Sequence, residues 1–163
     1  MERHKDKKKK EKENEADTSK WLLLDNQLCF RLYSASKALT SAYDPMLKPL
    51  DLTYPQYLAM MVLWEKDDIS VGEIGERLNL DSGTLSPLLK KLEAKNILVR
   101  ARSATDERMV TIKLTTKGHD LKKKVLKVPT QMICRIDLNE KEIADLSKRL
   151  DFLMSNLVKT AED

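Results

Sequence analysis

The chain has 163 residues, of which 34% are charged and 41% hydrophobic, enough for one globular core and too few for several. Its 4 Gly and 5 Pro stand against 30 Lys+Arg and 26 Asp+Glu, a balance that favours helices with few tight turns and disfavours a barrel or sandwich. No apolar run approaches the roughly 20 residues that span a bilayer, and no apolar secretory core follows Met1, so a cytoplasmic protein with no membrane role is expected.

The net charge of +4 is unevenly spread. Residues 77–113 hold eight basic side chains (Arg77, Lys90, Lys91, Lys95, Arg100, Arg102, Arg108 and Lys113) and four acidic ones, while the rest of the chain is balanced. One contiguous stretch therefore carries the whole excess, which implies a polyanionic partner.

Residues 1–20, with a lysine run at Lys7 to Lys10 and almost no apolar side chain, are expected to be a disordered tail. Their acidic residues nearly cancel the lysines, so a solvated extension is the first reading and a phosphate-grasping arm the second. Order is expected from Trp21. Leu24, Leu28, Leu32, Ala35, Leu39 and Ala42 recur at three- and four-residue spacing, which predicts an amphipathic helix from about 21 to 48, ended by Pro45 and Pro49. A second helix follows Pro55, a good first-turn residue, and is expected to turn Leu58, Met61, Val62 and Trp64 towards the core.

Asp67-Asp68-Ile69-Ser70 reads as a turn into a short helix, Val71 to Leu78, with Ile74 and Leu78 on one face. Asp81 and Ser82 are natural N-caps for the next helix, which presents Leu85, Leu88, Leu89 and Leu92 inward and turns Ser86, Lys90, Lys91 and Lys95 elsewhere. Pro87 is placed near its start, where a missing N–H matters least. Ile97 to Ser103 and Met109 to Leu114 alternate as strands around Ala104 to Arg108, which predicts a hairpin with an arginine-tipped loop.

Two short helices, a tight turn and a basic hairpin describe a winged helix-turn-helix in a mainly α chain, with the DNA-binding part at about 52–115. Ser82, Thr84 and Ser86 can reach phosphates or base edges, Lys90 and Lys91 suit phosphate neutralisation, and Arg100 and Arg102 on the hairpin are further DNA-binding candidates. Arg108, with Asp106 beside it in the loop, suits a narrow minor groove. For any single residue, capping or solvation explains the side chain as well. The ordered combination is what points to double-stranded DNA.

The last third predicts a helix over Thr116 to Ile136, disturbed near Pro129, and another over Glu140 to Lys159, with Asn139 and Glu142 forming a capping box. Ile143, Leu146, Leu150, Leu153 and Leu157 make a heptad-like stripe. With the first helix it offers more apolar surface than a small winged helix covers. The expectation is a homodimer joined through residues 21–50 and 116–160, reading a palindromic operator.

At this point a family becomes visible. Leu52-Thr53-Tyr54-Pro55-Gln56-Tyr57, the run from Leu80 to Glu93, and Arg100-Ala101-Arg102-Ser103 with Asp106-Glu107-Arg108 resemble the MarR family of dimeric winged-helix regulators. Asn26-Gln27-Leu28-Cys29-Phe30 resembles the branch that senses organic hydroperoxides. The resemblance covers residues 22–160. It implies that Cys29 is the peroxide-reactive thiol, that Tyr43 and Tyr54 hydrogen-bond it from the partner protomer with Tyr33 nearby, and that Arg108 enters the minor groove. Some members of the branch resolve the oxidised thiol across the dimer with a downstream cysteine, a role open to Cys134, and others use a small cellular thiol.

The chemistry is coherent with that implication: a thiolate attacks the O–O bond, and phenolic donors and a helix environment favour thiolate over thiol. Leu28, Phe30, Trp64 and the Met60-Met61 pair would admit an organic hydroperoxide, and the first product is a sulfenic acid. Cys134 can equally be a small core residue. Rival readings are a regulator of the same fold that answers a phenolic or lipophilic ligand, a global redox or virulence regulator, and a thiol peroxidase. No cofactor or metal is expected, since two cysteines with His4 and His119 lack ligand spacing, and His119 is expected at the surface.

Overall fold

The computed structural model describes residues 19–102 and 110–159, and the chain divides into two compact units between Asp44 and Pro45. The lysine-rich tail and the loop holding Asp106 and Arg108 lie outside the described residues.

In the first unit the single helix expected from residue 21 is three pieces. Short 3-10 turns at Lys20–Leu22 and Leu24–Asn26 precede α1, Leu28–Ala42. Asn26 explains the interruption: its side-chain amide donates to the Lys20 carbonyl at 2.8 Å, offering the backbone a local alternative to helix. Gln27 is then extended and serves as the N-cap residue. Beyond Ala42 the chain makes a helical turn at Asp44–Leu47 and a 3-10 turn at Lys48–Leu50, and Asp51 takes a left-handed conformation with φ 54°.

The second unit holds most of the core. Helix α2, Tyr54–Glu65, starts where the Thr53 amide donates to the Gln56 side chain at 3.1 Å, with Pro55 in the first turn. Its buried residues are Gln56, Tyr57, Ala59, Met60, Val62 and Leu63. Of the four residues expected to face the core only Val62 is buried; Leu58 and Trp64 are half-buried and Met61 is exposed. Tyr57, Leu58, Ala59, Met60, Met61, Val62, Leu63 and Trp64 form one unbroken apolar run. Periodicity has no polar residues there with which to choose a face.

Ile69–Ser70, expected as part of a turn, is a strand, β1, paired antiparallel with β3 through Ile69 opposite Ile112 and Ser70 opposite Thr111. Helix α3, Val71–Leu78, follows directly, with the Ser70 hydroxyl accepting from the Glu73 amide at 3.0 Å. Asn79, with φ 52°, ends it in the left-handed region that asparagine tolerates. Helix α4, Ser82–Ala94, buries Leu85, Leu88, Leu89 and Leu92, the four expected. Strands β2, Leu98–Arg102, and β3, Val110–Leu114, pair with Leu98 opposite Leu114 and Arg102 opposite Val110, giving a three-stranded sheet in the order β1-β3-β2.

Helix α5, Thr116–Val125, stops four residues before Pro129, whose ring lacks the N–H that would bond the Val125 carbonyl. Helix α6, Val128–Ile136, restarts with Pro129 in its first turn. The close seating of α5 depends on Gly118: a Cβ there would lie 2.2 Å from the Ile97 carbonyl oxygen. Beside it, Trp64 Nε1 donates to the Gly118 carbonyl at 2.9 Å. Helix α7, Glu140–Lys159, opens on the expected reciprocal cap, in which Asn139 N–H donates to Glu142 at 2.9 Å and Glu142 N–H donates to Asn139 at 3.0 Å.

Candidate DNA-binding face and thiol sites

Helices α3 and α4 are joined by a turn that one glycine makes possible. A Cβ on Gly75 would meet the Leu80 carbonyl oxygen at 2.9 Å, and the Leu80 amide donates to the Gly75 carbonyl at 2.9 Å. Asp81 then caps α4, its carboxylate accepting from the Thr84 amide at 2.9 Å and from the Thr84 hydroxyl at 2.8 Å. Those two bonds, the amide first, hold the Asp81 carboxyl below the usual carboxylate range. The cap residue is thus Asp81, and Ser82 is the first helical residue.

The proposed reading residues therefore differ in their freedom. Ser82 is exposed in the first turn of α4, and Lys90 and Lys91 are exposed beyond it. Thr84 is exposed, but its hydroxyl proton is given to Asp81. Ser86 is half-buried and its carbonyl accepts from Arg100 Nη2 at 3.4 Å. Pro87 stands in the second turn of α4 rather than at its start, so the Gly83 carbonyl loses its helical donor.

Arg100 on β2 is largely held by the protein. Its Nε lies 3.3 Å from a Glu93 carboxylate oxygen, and its backbone N–H donates to the other Glu93 oxygen at 3.3 Å. Glu93, half-buried on α4, carries no signal in the sequence beyond its opposite charge. Asp67 is a second hub near the sheet, accepting from the Leu114 amide at 2.9 Å, with exposed His119 Nε2 at 3.3 Å. Next to it the Thr111 hydroxyl and the Lys113 ammonium, 3.0 Å away, hold the Asp68 carboxyl below its ordinary range. These contacts tie the start of β1 to β3 and α5.

The thiol residues are spread over the chain. Cys29 is exposed in the first turn of α1, and Tyr33, 64% exposed, stands one turn later on the same face. Tyr43 is half-buried at the far end of α1, and burial pushes its phenol above the ordinary tyrosine range. In the other unit, Tyr54 is half-buried at the start of α2 and Cys134 is exposed on α6 rather than packed in a core. Among the described residues no cluster of His, Cys, Asp and Glu could hold a metal ion, and no helix is long and apolar enough to cross a membrane.

A capped helix-turn-helix backed by a three-stranded sheet is the architecture of winged-helix transcriptional regulators. The model of the family described as transcriptional regulator SarA/Rot matches residues 41–125. The organic hydroperoxide resistance transcriptional regulator of Bacillus subtilis (strain 168) is 42% identical over 145 residues, covering 89% of this chain and 97% of that protein. The chain belongs to the SarA/Rot family of MarR-like winged-helix regulators. Among solved structures it resembles the Staphylococcus epidermidis protein AbfR. Reduced AbfR bound to DNA matches with a TM-score of 0.72 and 31% identity, covering 86% of this chain and 99% of that one. A disulfide form of AbfR matches with a TM-score of 0.60 and 31% identity, covering 86% and 98%. These relatives are regulators and not enzymes, which sets the thiol peroxidase reading aside.

Proposed function

We propose that the chain is a cytoplasmic, homodimeric transcriptional repressor that holds a palindromic operator while Cys29 is reduced and releases it when an organic hydroperoxide oxidises that thiol. What carries this reading is an exposed cysteine in the first turn of α1, with a tyrosine on the same helix face, in a chain akin to a regulator named for organic hydroperoxide resistance. The residues assigned to DNA contact in this reading are Ser82, Thr84, Lys90 and Lys91, all exposed on α4, with Asp106 and Arg108, which lie outside the described residues.

In the chemical step the Cys29 thiolate attacks the terminal peroxide oxygen. An S–O bond forms, the O–O bond breaks, and the alkoxide leaves and takes a proton to become the alcohol, so sulfur is oxidised to sulfenic acid and peroxide is reduced. A second thiol, that of Cys134 of the partner protomer or of a small cellular thiol, then attacks the sulfenic sulfur; an S–S bond forms and water leaves. The exposure of Cys134 supports its candidacy, because a resolving thiol must be reachable. New covalent chemistry at the helices outside the winged helix would re-space two DNA-reading heads, a two-state rearrangement rather than a block of the DNA face.

The test is operator binding with and without an organic hydroperoxide, for the wild type and Cys29→Ser. Release of wild type with retention of the variant is expected; a Cys29→Ser protein still released by peroxide ends the sensor role. Intact mass under non-reducing conditions then separates an inter-subunit disulfide from a mixed disulfide with a small thiol.

A further inference from the structure

We infer that Arg100 and Glu93 are a positioning pair that sets the angle of the recognition helix α4 against strand β2, and that Arg100 acts on DNA through α4 rather than by neutralising a phosphate. The inference rests on the DNA-binding reading above and assigns to it residues that no base or phosphate need touch.

The geometry is specific to a strut. One Glu93 carboxylate spans two groups of a single residue on the neighbouring strand, the Arg100 backbone N–H and its Nε, each at 3.3 Å. The same guanidinium reaches back a further two turns along α4, where Nη2 meets the Ser86 carbonyl at 3.4 Å. Arg100 therefore touches α4 at two points, Ser86 and Glu93, which fixes the helix against rotation as well as sliding. Its side chain is only 30% exposed, whereas Lys90 and Lys91 point into solvent. Arg100 Nε is itself buried and, despite its closeness to Glu93, is not aligned for a hydrogen bond. A half-buried guanidinium that meets α4 at both Ser86 and Glu93 is poorly placed to meet a phosphate, and it matters which cation supplies it, because lysine has no second arm.

The pair also sits where leverage is greatest. Ser86 lies just past the exposed first turn of α4 and Glu93 near its end, so a tilt of the helix about either point displaces Ser82 and Thr84 from the groove. Side chains that read bases tolerate little displacement, while long lysines follow a phosphate that moves.

Charge and geometry make opposite predictions for Glu93. Removing an acidic side chain from a DNA-binding face strengthens binding if only charge matters, and frees Arg100 for a phosphate. Removing half of a strut weakens specific binding.

The experiment measures affinity against salt concentration for Arg100→Gln, Arg100→Lys and Glu93→Gln, using a duplex selected by the wild-type chain from a random-sequence pool and a scrambled duplex of equal length. All three variants are expected to bind the selected duplex about five- to hundredfold more weakly, the range of one misread base pair. The slope of log affinity against log salt is expected to stay at the wild-type value, and binding to the scrambled duplex to be unchanged. A slope reduced by about 0.9 in Arg100→Gln marks a lost phosphate contact and overturns the inference. So do tighter binding by Glu93→Gln, full affinity in Arg100→Lys, or wild-type affinity in all three. Should Arg100→Gln lose its fold by circular dichroism, the two milder variants decide the matter. A wild-type chain that selects no duplex overturns the DNA reading and this inference together, whereas a selecting wild type with discordant variants overturns this inference alone.

Discussion

Cys29 and Tyr43 stand at opposite ends of α1, in its first turn and at its C-cap. At about 1.5 Å per residue that is on the order of 20 Å along the axis. A phenol cannot cross that distance, so a Tyr43 hydroxyl that serves Cys29 must come from a second chain. Burial keeps the Tyr43 phenol above its ordinary range, which leaves it an O–H donor at any physiological pH. The expected outcome is complementation: Tyr43→Phe slows sulfenic acid formation about tenfold, the worth of one hydrogen bond to a charged group. Mixing that variant with Cys29→Ser restores one fast site per mixed dimer. Time-resolved mass spectrometry of the trapped sulfenic acid checks it, and no recovery on mixing would mean that Tyr43 does not serve Cys29 across a dimer.

Acid stability follows from two depressed carboxyls. Asp81, bonded by Thr84, and Asp68, beside Thr111 and Lys113, both titrate below the usual carboxylate range in the folded protein. The unfolded chain binds their protons first, so their stabilisation is complete above about pH 4 and is lost as the pH falls through the lowered values. Asp68→Asn combined with Asp81→Asn is expected to flatten the acid limb of urea midpoint against pH. A double variant with the wild-type acid slope would assign that limb to other groups.

What the sequence made legible was what is local. The leucine face of α4, the Asn139–Glu142 cap, the hairpin strands and the break before Pro129 all depend on residues within a few positions of one another. Strand β1 was not legible, because a two-residue strand after an Asp-Asp turn is defined by its pairing with Ile112 and Thr111, far along the chain. The buried face of α2 was hidden by the uniform apolarity of Tyr57 to Trp64. The Arg100–Glu93 pair was hidden for the opposite reason: in sequence each is one charge among many, and only the apposition of α4 and β2 gives them a common role. The thiol site was readable only by resemblance, since its expected members lie too far apart to form one pattern.

Gly118 is the position at which a single methyl group should do most damage. Its missing side chain admits the Ile97 carbonyl oxygen, which a Cβ would meet at 2.2 Å, and backbone cannot step aside as a flexible side chain can. Gly118→Ala is expected to cost about 3 kcal/mol in urea denaturation, at the upper end for overpacking. Trp64→Phe, which removes the Nε1 bond to the Gly118 carbonyl while keeping an aromatic ring, is expected to cost about 1 kcal/mol. An alanine variant as stable as wild type would mean that α5 shifts freely from the Ile97 carbonyl.

Helix α7 carries its apolar stripe where the chain's own core does not cover it: Leu146 is 49% exposed, Leu150 36% and Leu157 62%. Leucines in heptad register gain by burial against a like helix, at roughly 25 cal/mol for each Å² removed from water. A charge in the middle of that stripe should oppose association without entering the winged helix, whose core lies in α2, α4 and the sheet. Leu150→Asp is therefore expected to shift the chain from dimer to monomer in sedimentation equilibrium and to weaken binding to a two-half-site duplex far more than to a single half-site. Its helical circular dichroism should remain near wild type. A Leu150→Asp chain that stays dimeric would move the dimer contact off α7.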